Sequence, residues 1–165
     1  MMSTYILWIF AFVRFISSVA GNSNHHLPYS LGIRDSIMIA HSFHNHPAFG
    51  PAGKMHGATY TCDVVFKTNK LAPTLNWVID IGLASELLAE VLSKYNMKNL
   101  DEVFSNGEFT TTEFMAKQIF DDLKQKMRQC IHEKCSEEEQ ITFEGRIKVK
   151  LFESHKAWAS YEGDV

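Results

Sequence analysis

An alternating run in the middle of the chain does most to limit the folds available to it. From Ala58 to Phe66, apolar side chains occupy every second position, and mostly polar side chains stand between them. Successive side chains of a strand point to opposite faces of a sheet, so this pattern predicts a half-buried strand. A second alternating run extends from Ile141 to Leu151, and Gly145 within it predicts a bulge or the close approach of another backbone.

Two helical patterns separate these strands. The first begins at Asp80, which is well placed to cap it, and its apolar stripe continues to Tyr95 at helical spacing. The second opens at residues 110–113, Thr-Thr-Thr-Glu. Thr110 and Glu113 have the spacing of a capping box, in which a threonine and a glutamate satisfy each other's backbone N–H groups.

Two further strands complete the pattern. One is predicted from Asp35 to Phe43 and the other from Ala157 to Glu162. The order strand, strand, helix, helix, strand, strand predicts an α+β fold, in which an antiparallel sheet carries its helices on one face.

Composition limits the class of protein. The 165 residues suit one domain, and the formal net charge of −3 argues against a nucleic-acid-binding surface. The three cysteines are an odd number without a framework spacing, which argues against a disulfide scaffold.

Residues 1–31 differ in character from the predicted domain at 32–165. Tyr5 to Val13 is apolar but short for a membrane span, and Arg14 interrupts it. Ser18-Val19-Ala20 resembles a signal peptidase site, although no basic residue precedes the apolar run. A membrane segment, a signal peptide and an N-terminal extension all stay open.

Two histidines stand where predicted strands end and begin. His41 closes an apolar run, and His56 opens the alternating strand. Imidazole is the commonest protein ligand for metals such as zinc, and neighbouring strands can bring two rings together. The alternative is that both are structural histidines, satisfied by backbone hydrogen bonds.

The element order and six short motifs resemble the 6-pyruvoyl-tetrahydropterin synthase and 6-carboxytetrahydropterin synthase family, from about Ile33 to Gly163. The resemblance implies a tunnelling fold (T-fold), a four-stranded antiparallel sheet with two helices on one face. It also implies a homo-oligomer, a trimer or hexamer, with active sites between subunits. The motifs are Ile39-Ala40-His41, His56-Gly57-Ala58-Thr59-Tyr60, Val78-Ile79-Asp80, Leu100-Asp101-Glu102, Thr111-Thr112-Glu113 and Phe152-Glu153-Ser154.

The resemblance implies a zinc-dependent lyase that acts on 7,8-dihydroneopterin triphosphate in pterin biosynthesis. Members of the family hold Zn²⁺ with three histidines, and His41 and His56 match the first two. The third position is Ala58 in this chain, and alanine binds no metal. His44, His46, His155 and water are the alternatives for the missing ligand.

The remaining site residues are also carried over by resemblance. The catalytic cysteine position is Ala52, and the family's Asp-His pair matches Asp101 and Glu102, which become the predicted catalytic residues. For the substrate, the ring-contacting residues match Thr111, Thr112 and Glu153. A carboxylate can accept two adjacent N–H groups from a pterin ring in bidentate fashion.

Two other functions stay open because the departures fall on catalytic groups. One is a family member that keeps the pterin pocket but has different chemistry, and the other is a non-catalytic oligomeric binding or scaffold protein. The resemblance favours a cytoplasmic protein, with the secretory pathway as the alternative if residues 1–20 are a signal peptide.

Overall fold

The computed structural model describes residues 26–133 and 143–165, with the side chains of 131–133 outside that description. The apolar run and the predicted cleavage site before residue 21 therefore lie outside the described residues, and the separate N-terminal segment stays a prediction. Within the described residues, no helix is long and apolar enough to cross a membrane.

Within the described residues, five strands form one sheet. Its spatial order is β3-β1-β2-β4-β5, and all neighbours are antiparallel except the two-residue β3, which pairs parallel with β1. The prediction of an α+β fold with four antiparallel strands is confirmed, and β3 adds a short edge strand to it. The strands are β1 (Tyr29–His41), β2 (His56–Thr68), β3 (Lys98–Asn99), β4 (Arg146–Phe152) and β5 (Trp158–Asp164).

The first strand differs from its predicted bounds at both ends. It starts at Tyr29 rather than Asp35, because its pairing with β2 continues as far as Tyr29 opposite Thr68. It stops at His41 rather than Phe43, because Phe43 adopts a left-handed backbone with φ of 47°. A bulky residue with positive φ cannot continue a strand.

The helices are α1 (Ile81–Ser93), the single-turn α2 (Leu100–Val103) and α3 (Thr112–Glu133). Asp80 caps α1 as predicted, and its Oδ1 accepts a hydrogen bond from the Leu83 N–H at 2.8 Å. The predicted capping box at Thr110 is wrong. Thr111 caps α3 instead, since its hydroxyl accepts the Phe114 N–H at 3.2 Å, and Thr110 is fully buried with its hydroxyl against His41.

The core lies between one face of the sheet and helices α1 and α3. The alternation of β2 is confirmed, because four side chains on its inner face are fully buried: Tyr60, Cys62, Val64 and Phe66. Burying a large apolar side chain contributes about 1.5–3 kcal/mol each. Gly145 makes the predicted close approach, since a Cβ there would lie 2.0 Å from the Lys67 carbonyl oxygen.

Candidate metal and ligand site

The pairing of β1 with β2 places the two histidines side by side. His41 stands directly opposite His56 at the end of the ladder, so both side chains lie on the helix-covered face. Their ring centroids are 4.6 Å apart. The predicted convergence of these two imidazoles is therefore present in the structure.

Hydrogen bonds engage Nδ1 of each ring and leave Nε2 for a ligand. His56 Nδ1 lies 2.9 Å from the Lys54 carbonyl oxygen, which can only accept, so Nδ1 carries the proton and Nε2 keeps its lone pair. His41 Nδ1 lies 3.0 Å from the Thr110 hydroxyl, and no described residue forms a hydrogen bond with its buried Nε2. Metal-binding histidines are commonly oriented in this way by a partner at the other nitrogen.

The environment of His41 favours its neutral form. Burial lowers the pKa of His41, and the neighbouring His56 lowers it further, whereas Glu153 and Asp101 act in the opposite direction. A neutral imidazole is the form that binds metal, so this ring is poised as a ligand near neutral pH.

Glu153 joins the two histidines from the neighbouring strand. It follows β4 directly, one residue after Phe152, which pairs with Thr61 of β2. One ligand atom from each of Glu153, His41 and His56 lies within 4.8 Å of the others. The Thr112 hydroxyl donates a hydrogen bond of 2.6 Å to Glu153 Oε2 and so fixes the carboxylate from the start of α3.

This set of side chains fits a zinc ion. Two imidazoles and one carboxylate are a known ligand set for catalytic zinc, which needs three protein ligands and an open position. The unpartnered Nε2 of the fully buried His41 is the observation that supports the fit, because buried nitrogens rarely go without a partner.

Asp101 lies beside this cluster and holds the turn that follows β1. Its Oδ2 accepts hydrogen bonds from the Ser42 backbone N–H at 2.9 Å and from the Ser42 hydroxyl at 2.5 Å. Its Oδ1 is buried, and none of residues 26–133 and 143–165 forms a hydrogen bond with it. Asp101 therefore positions the residue next to His41 and keeps one carboxylate oxygen free.

Glu102 has different surroundings from Asp101. Its side chain is exposed, and its carboxylate accepts a hydrogen bond of 3.0 Å from the Asn99 side chain at the start of α2. The structure does not place it in the group formed by His41, His56 and Glu153. Its predicted catalytic role stays a prediction.

The three consecutive threonines before α3 have three separate partners. Thr110 contacts His41, Thr111 caps the helix, and Thr112 contacts Glu153. The sequence predicted Thr111 and Thr112 as ring-contacting residues and missed the contact of Thr110 with His41. The run of three threonines was a signal that could have predicted this contact. The capping-box spacing instead led to the prediction that Thr110 caps the helix.

The histidines suggested as a third metal ligand lie elsewhere. His44 Nε2 lies 3.1 Å from the Glu108 carbonyl oxygen, and His46 packs against Phe109 while its Nδ1 accepts the Ala48 N–H. His155 is exposed after β4. Among the described residues, none of the three belongs to a group of side chains that could share a metal ion with His41.

Aromatic side chains cover one side of the His41 ring. Phe43 lies 4.3 Å from it between ring centroids and stacks on Phe49 at 4.1 Å. Phe49 in turn contacts Phe109 at 5.2 Å. Left-handed backbone at Phe43, His44 and Asn45 turns the chain back immediately after β1 and so brings Phe43 onto His41.

Among the described residues, neither position 52 nor Cys62 supplies the thiol that the resemblance expects. Ala52 is exposed in the turn between the strands, within Pro47–Gly53. Cys62 is fully buried in the core, and burial raises the pKa of its thiol to about 12, which keeps it protonated near neutral pH. Cys62 is therefore a core residue.

Tyr60 was not predicted as a site residue, yet it borders the cluster. It lies on the same face of β2 as His56, and its buried hydroxyl has no well-formed hydrogen bond within the described part of the chain. Burial raises the pKa of Tyr60 and the nearby charge of Glu153 raises it further, whereas the Thr112 side chain acts in the opposite direction. The hydroxyl therefore stays protonated and can donate a hydrogen bond into the cluster.

Solved structures from several organisms share this fold. The 6-pyruvoyl tetrahydropterin synthase of Caenorhabditis elegans is 24% identical, with a TM-score of 0.65, and the match covers 82% of this chain and 95% of that chain. The Plasmodium falciparum enzyme is 12% identical, with a TM-score of 0.60, and the match covers 85% of this chain and 100% of that chain. The Plasmodium vivax enzyme is 13% identical, with a TM-score of 0.59, and the match covers 83% and 98%.

A search of curated proteins found no significant match. The model of one protein family, 6-pyruvoyl tetrahydropterin synthase, matches residues 30–164, which is nearly all of the described chain. The predicted resemblance is thus confirmed, and the chain belongs to the 6-pyruvoyl tetrahydropterin synthase family.

Proposed function

We propose that this chain is a zinc-dependent lyase that acts on 7,8-dihydroneopterin triphosphate. His41 and His56 hold the metal through their Nε2 atoms, and Glu153 and Thr112 border the place for the pterin ring. When bound, zinc supplies Lewis-acid polarisation of hydroxyl groups on the substrate side chain. The observation that carries the proposal is the fully buried, unpartnered Nε2 of His41 beside His56.

A buried nitrogen without a hydrogen-bond partner lowers the stability of the fold by about 1–3 kcal/mol. A bound ligand would remove this cost, which is why the unpartnered nitrogen supports a ligand site. The Nδ1 atoms of both rings are already engaged, by the Thr110 hydroxyl and the Lys54 carbonyl. Both remaining nitrogens can therefore bind one ion without breaking a hydrogen bond of the fold.

A carboxylate is the proposed proton acceptor, in place of the thiol absent at Ala52. Structures of the P. vivax relative with substitutions at a glutamate, described there as a catalytic residue, have TM-scores of 0.54 and 0.55 to this chain. In this chain Asp101 is the proposed base, supported by its unpartnered Oδ1 and its electrostatic effect on His41. We assign no step to Glu102, because it is exposed and bound to Asn99.

Zinc content and turnover together test the proposal. We expect about one zinc per subunit, and release of triphosphate from 7,8-dihydroneopterin triphosphate. His56→Ala should lose both, whereas His155→Ala, which removes an exposed histidine, should lose neither. Purified protein that takes up no zinc and turns over no substrate would refute the lyase proposal.

A second candidate is a pterin-binding homologue that does not catalyse this reaction. It is favoured by the exposed Ala52 at the nucleophile position and by the inert, buried Cys62. Neopterin or sepiapterin binding, followed by fluorescence, separates the candidates. Saturable binding with no turnover, lost in Glu153→Ala, would favour this second function.

The proposed active protein is a cytoplasmic homo-oligomer, a trimer or hexamer. In the single chain β5 is an edge strand, and an unpaired edge is a liability that closure of a barrel removes. Light scattering after size-exclusion chromatography measures the mass, and a monomer at all concentrations would contradict this proposal.

A further inference from the structure

We infer that Glu153 is the third protein ligand of the metal, in place of the histidine that position 58 lacks. The inference rests on the proposed metal site at His41 and His56, and adds the group that completes it. A catalytic zinc needs three protein ligands, and the two histidines supply only two.

The position of Glu153 on the sheet explains how it reaches the histidines. Residues facing each other across antiparallel strands share a face, and Leu151 of β4 pairs with Cys62 of β2 on the inner face. Two residues later, Glu153 returns to that face, next to Tyr60 and towards His56. Glu153 therefore follows the apolar inner-face residues of β4 and lies at the end of the sheet that carries the two imidazoles.

Distances single out Glu153 among the alternatives. Its ligand atom lies within 4.8 Å of those of both histidines, and no other residue joins them in such a group among the described residues. Ala58, on the same face of β2 as His56, offers no atom that could bind a metal. His44 and His46 are held away by Glu108 and Ala48.

Electrostatics also favour Glu153 as the third metal ligand. Its negative charge acts on His41, and no cationic side chain forms an ion pair with it among the described residues. Its hydrogen-bond partner is the neutral Thr112 hydroxyl, which donates to Oε2. A half-buried carboxylate without a countercharge gains most from a cation, and one anionic ligand cancels half of the charge of Zn²⁺.

Ligation and ring binding are compatible on one carboxylate. Its two oxygens offer about four lone-pair positions, so one oxygen can bind the metal while the other accepts a hydrogen bond. The Thr112 hydroxyl donates to one of these positions on Oε2. A pterin N–H can occupy the same position when substrate binds.

Metal affinity of paired variants tests the inference. We compare Glu153→Gln with Glu113→Gln, the same change at an exposed carboxylate in the first turn of α3. Zinc affinity, measured by competition with a chromogenic chelator, should fall more than about a hundredfold in Glu153→Gln, beyond the 10–100-fold typical of groups that only orient ligands. It should be unchanged in Glu113→Gln. Unchanged affinity in Glu153→Gln would overturn the inference.

Cobalt spectroscopy tests direct contact with the metal. In Glu153→Cys loaded with Co²⁺, a cysteine thiolate at this position should bind the ion and give a near-ultraviolet thiolate-to-cobalt absorption band. The wild-type protein, which has three cysteines of its own, is the baseline and should lack the band. A Glu153→Cys spectrum identical to the baseline would overturn the ligand assignment.

The same measurements on His56→Ala separate this inference from the proposed function. If His56→Ala loses zinc affinity and Glu153→Gln keeps it, the histidine site stands and the third-ligand assignment is wrong. If both variants and the wild type bind no zinc, the proposed metal site itself is wrong, and the inference falls with it.

Discussion

The two ends of the helix-covered face of the sheet differ in the hydrogen bonding of their buried polar atoms. At the end where His41 faces His56, three buried polar atoms have no hydrogen-bond partner among the described residues: His41 Nε2, Tyr60 Oη and Asp101 Oδ1. At the other end, the buried Thr68 hydroxyl donates to the Lys70 and Glu144 carbonyl oxygens. At one end the chain itself supplies the hydrogen-bond partners, whereas at the other a bound metal and ligand would supply them.

The difference indicates that the two ends of the sheet contribute differently to stability and to binding. The satisfied end contributes stability through packing, and the unsatisfied end gives up stability at several polar atoms, each costing about 1–3 kcal/mol when unpaired. Substitutions at the two ends should therefore affect unfolding and metal binding separately, and four predictions probe this separation.

The largest effect on stability is expected at the apolar end. Ile147 is fully buried on β4, so Ile147→Ala should lower the free energy of unfolding by about 2–5 kcal/mol through lost burial and a cavity. Denaturant unfolding of the metal-free protein measures it. Zinc affinity of the folded variant should match wild type, and a hundredfold loss would contradict the separation.

A somewhat smaller loss is expected at Gly145. An added Cβ would meet the Lys67 carbonyl oxygen at 2.0 Å, so Gly145→Ala should cost about 1–3 kcal/mol through overpacking. Gly32→Ala is the matched control, since its Cβ would lie 3.9 Å from the Val65 side chain, an ordinary contact. Equal unfolding midpoints for the two variants would show that β4 shifts freely at this point.

At the site end, Thr110→Val should change metal binding. Valine keeps the volume but removes the hydroxyl that orients His41 Nδ1, so zinc affinity should fall about 10–100-fold. Thr111→Val is the control one residue later: it removes a helix cap and should cost about 1 kcal/mol of stability. Its zinc affinity should stay at the wild-type level, and equal losses in both variants would argue for a general disturbance of the α3 start.

The smallest effect is expected on the opposite face of the sheet. Arg34 binds Asp63 with two hydrogen bonds, at 2.5 and 2.8 Å, and lowers the pKa of Asp63 mainly through that hydrogen bonding. Arg34→Met should lower stability only slightly at neutral pH, because the pair is largely exposed.

The pH dependence of this pair has a definite sign. A lowered pKa in the folded state stabilises the protein above the unfolded value of about 3.9. This contribution is lost as the pH falls through the folded pKa. The stability difference between wild type and Arg34→Met, followed by urea unfolding, should therefore vanish in acid, and a difference that grows on acidification would contradict the assignment.

Local sequence patterns were sufficient for much of the fold. The alternation from Ala58 to Phe66 predicted the buried face of β2, and Asp80 predicted the start of α1, because both depend on neighbouring residues in the chain. The start of β1 at Tyr29 was missed, since it depends on pairing with the far end of β2.

The candidate site was predictable only in part for the same reason. His41 and His56 could be paired because they lie next to one another once two adjacent strands pair. The contacts of Thr110 with His41 and of Thr112 with Glu153 join residues 69 and 41 positions apart. Such contacts depend on how α3 docks on the sheet, which no local pattern specifies.

The most direct test of a metal centre at the unsatisfied end is anomalous diffraction at the zinc edge from crystals of the zinc-loaded protein. The account predicts one peak per subunit, about 2.0–2.1 Å from Nε2 of both His41 and His56. A peak only at other residues, or none at full zinc loading, would contradict it.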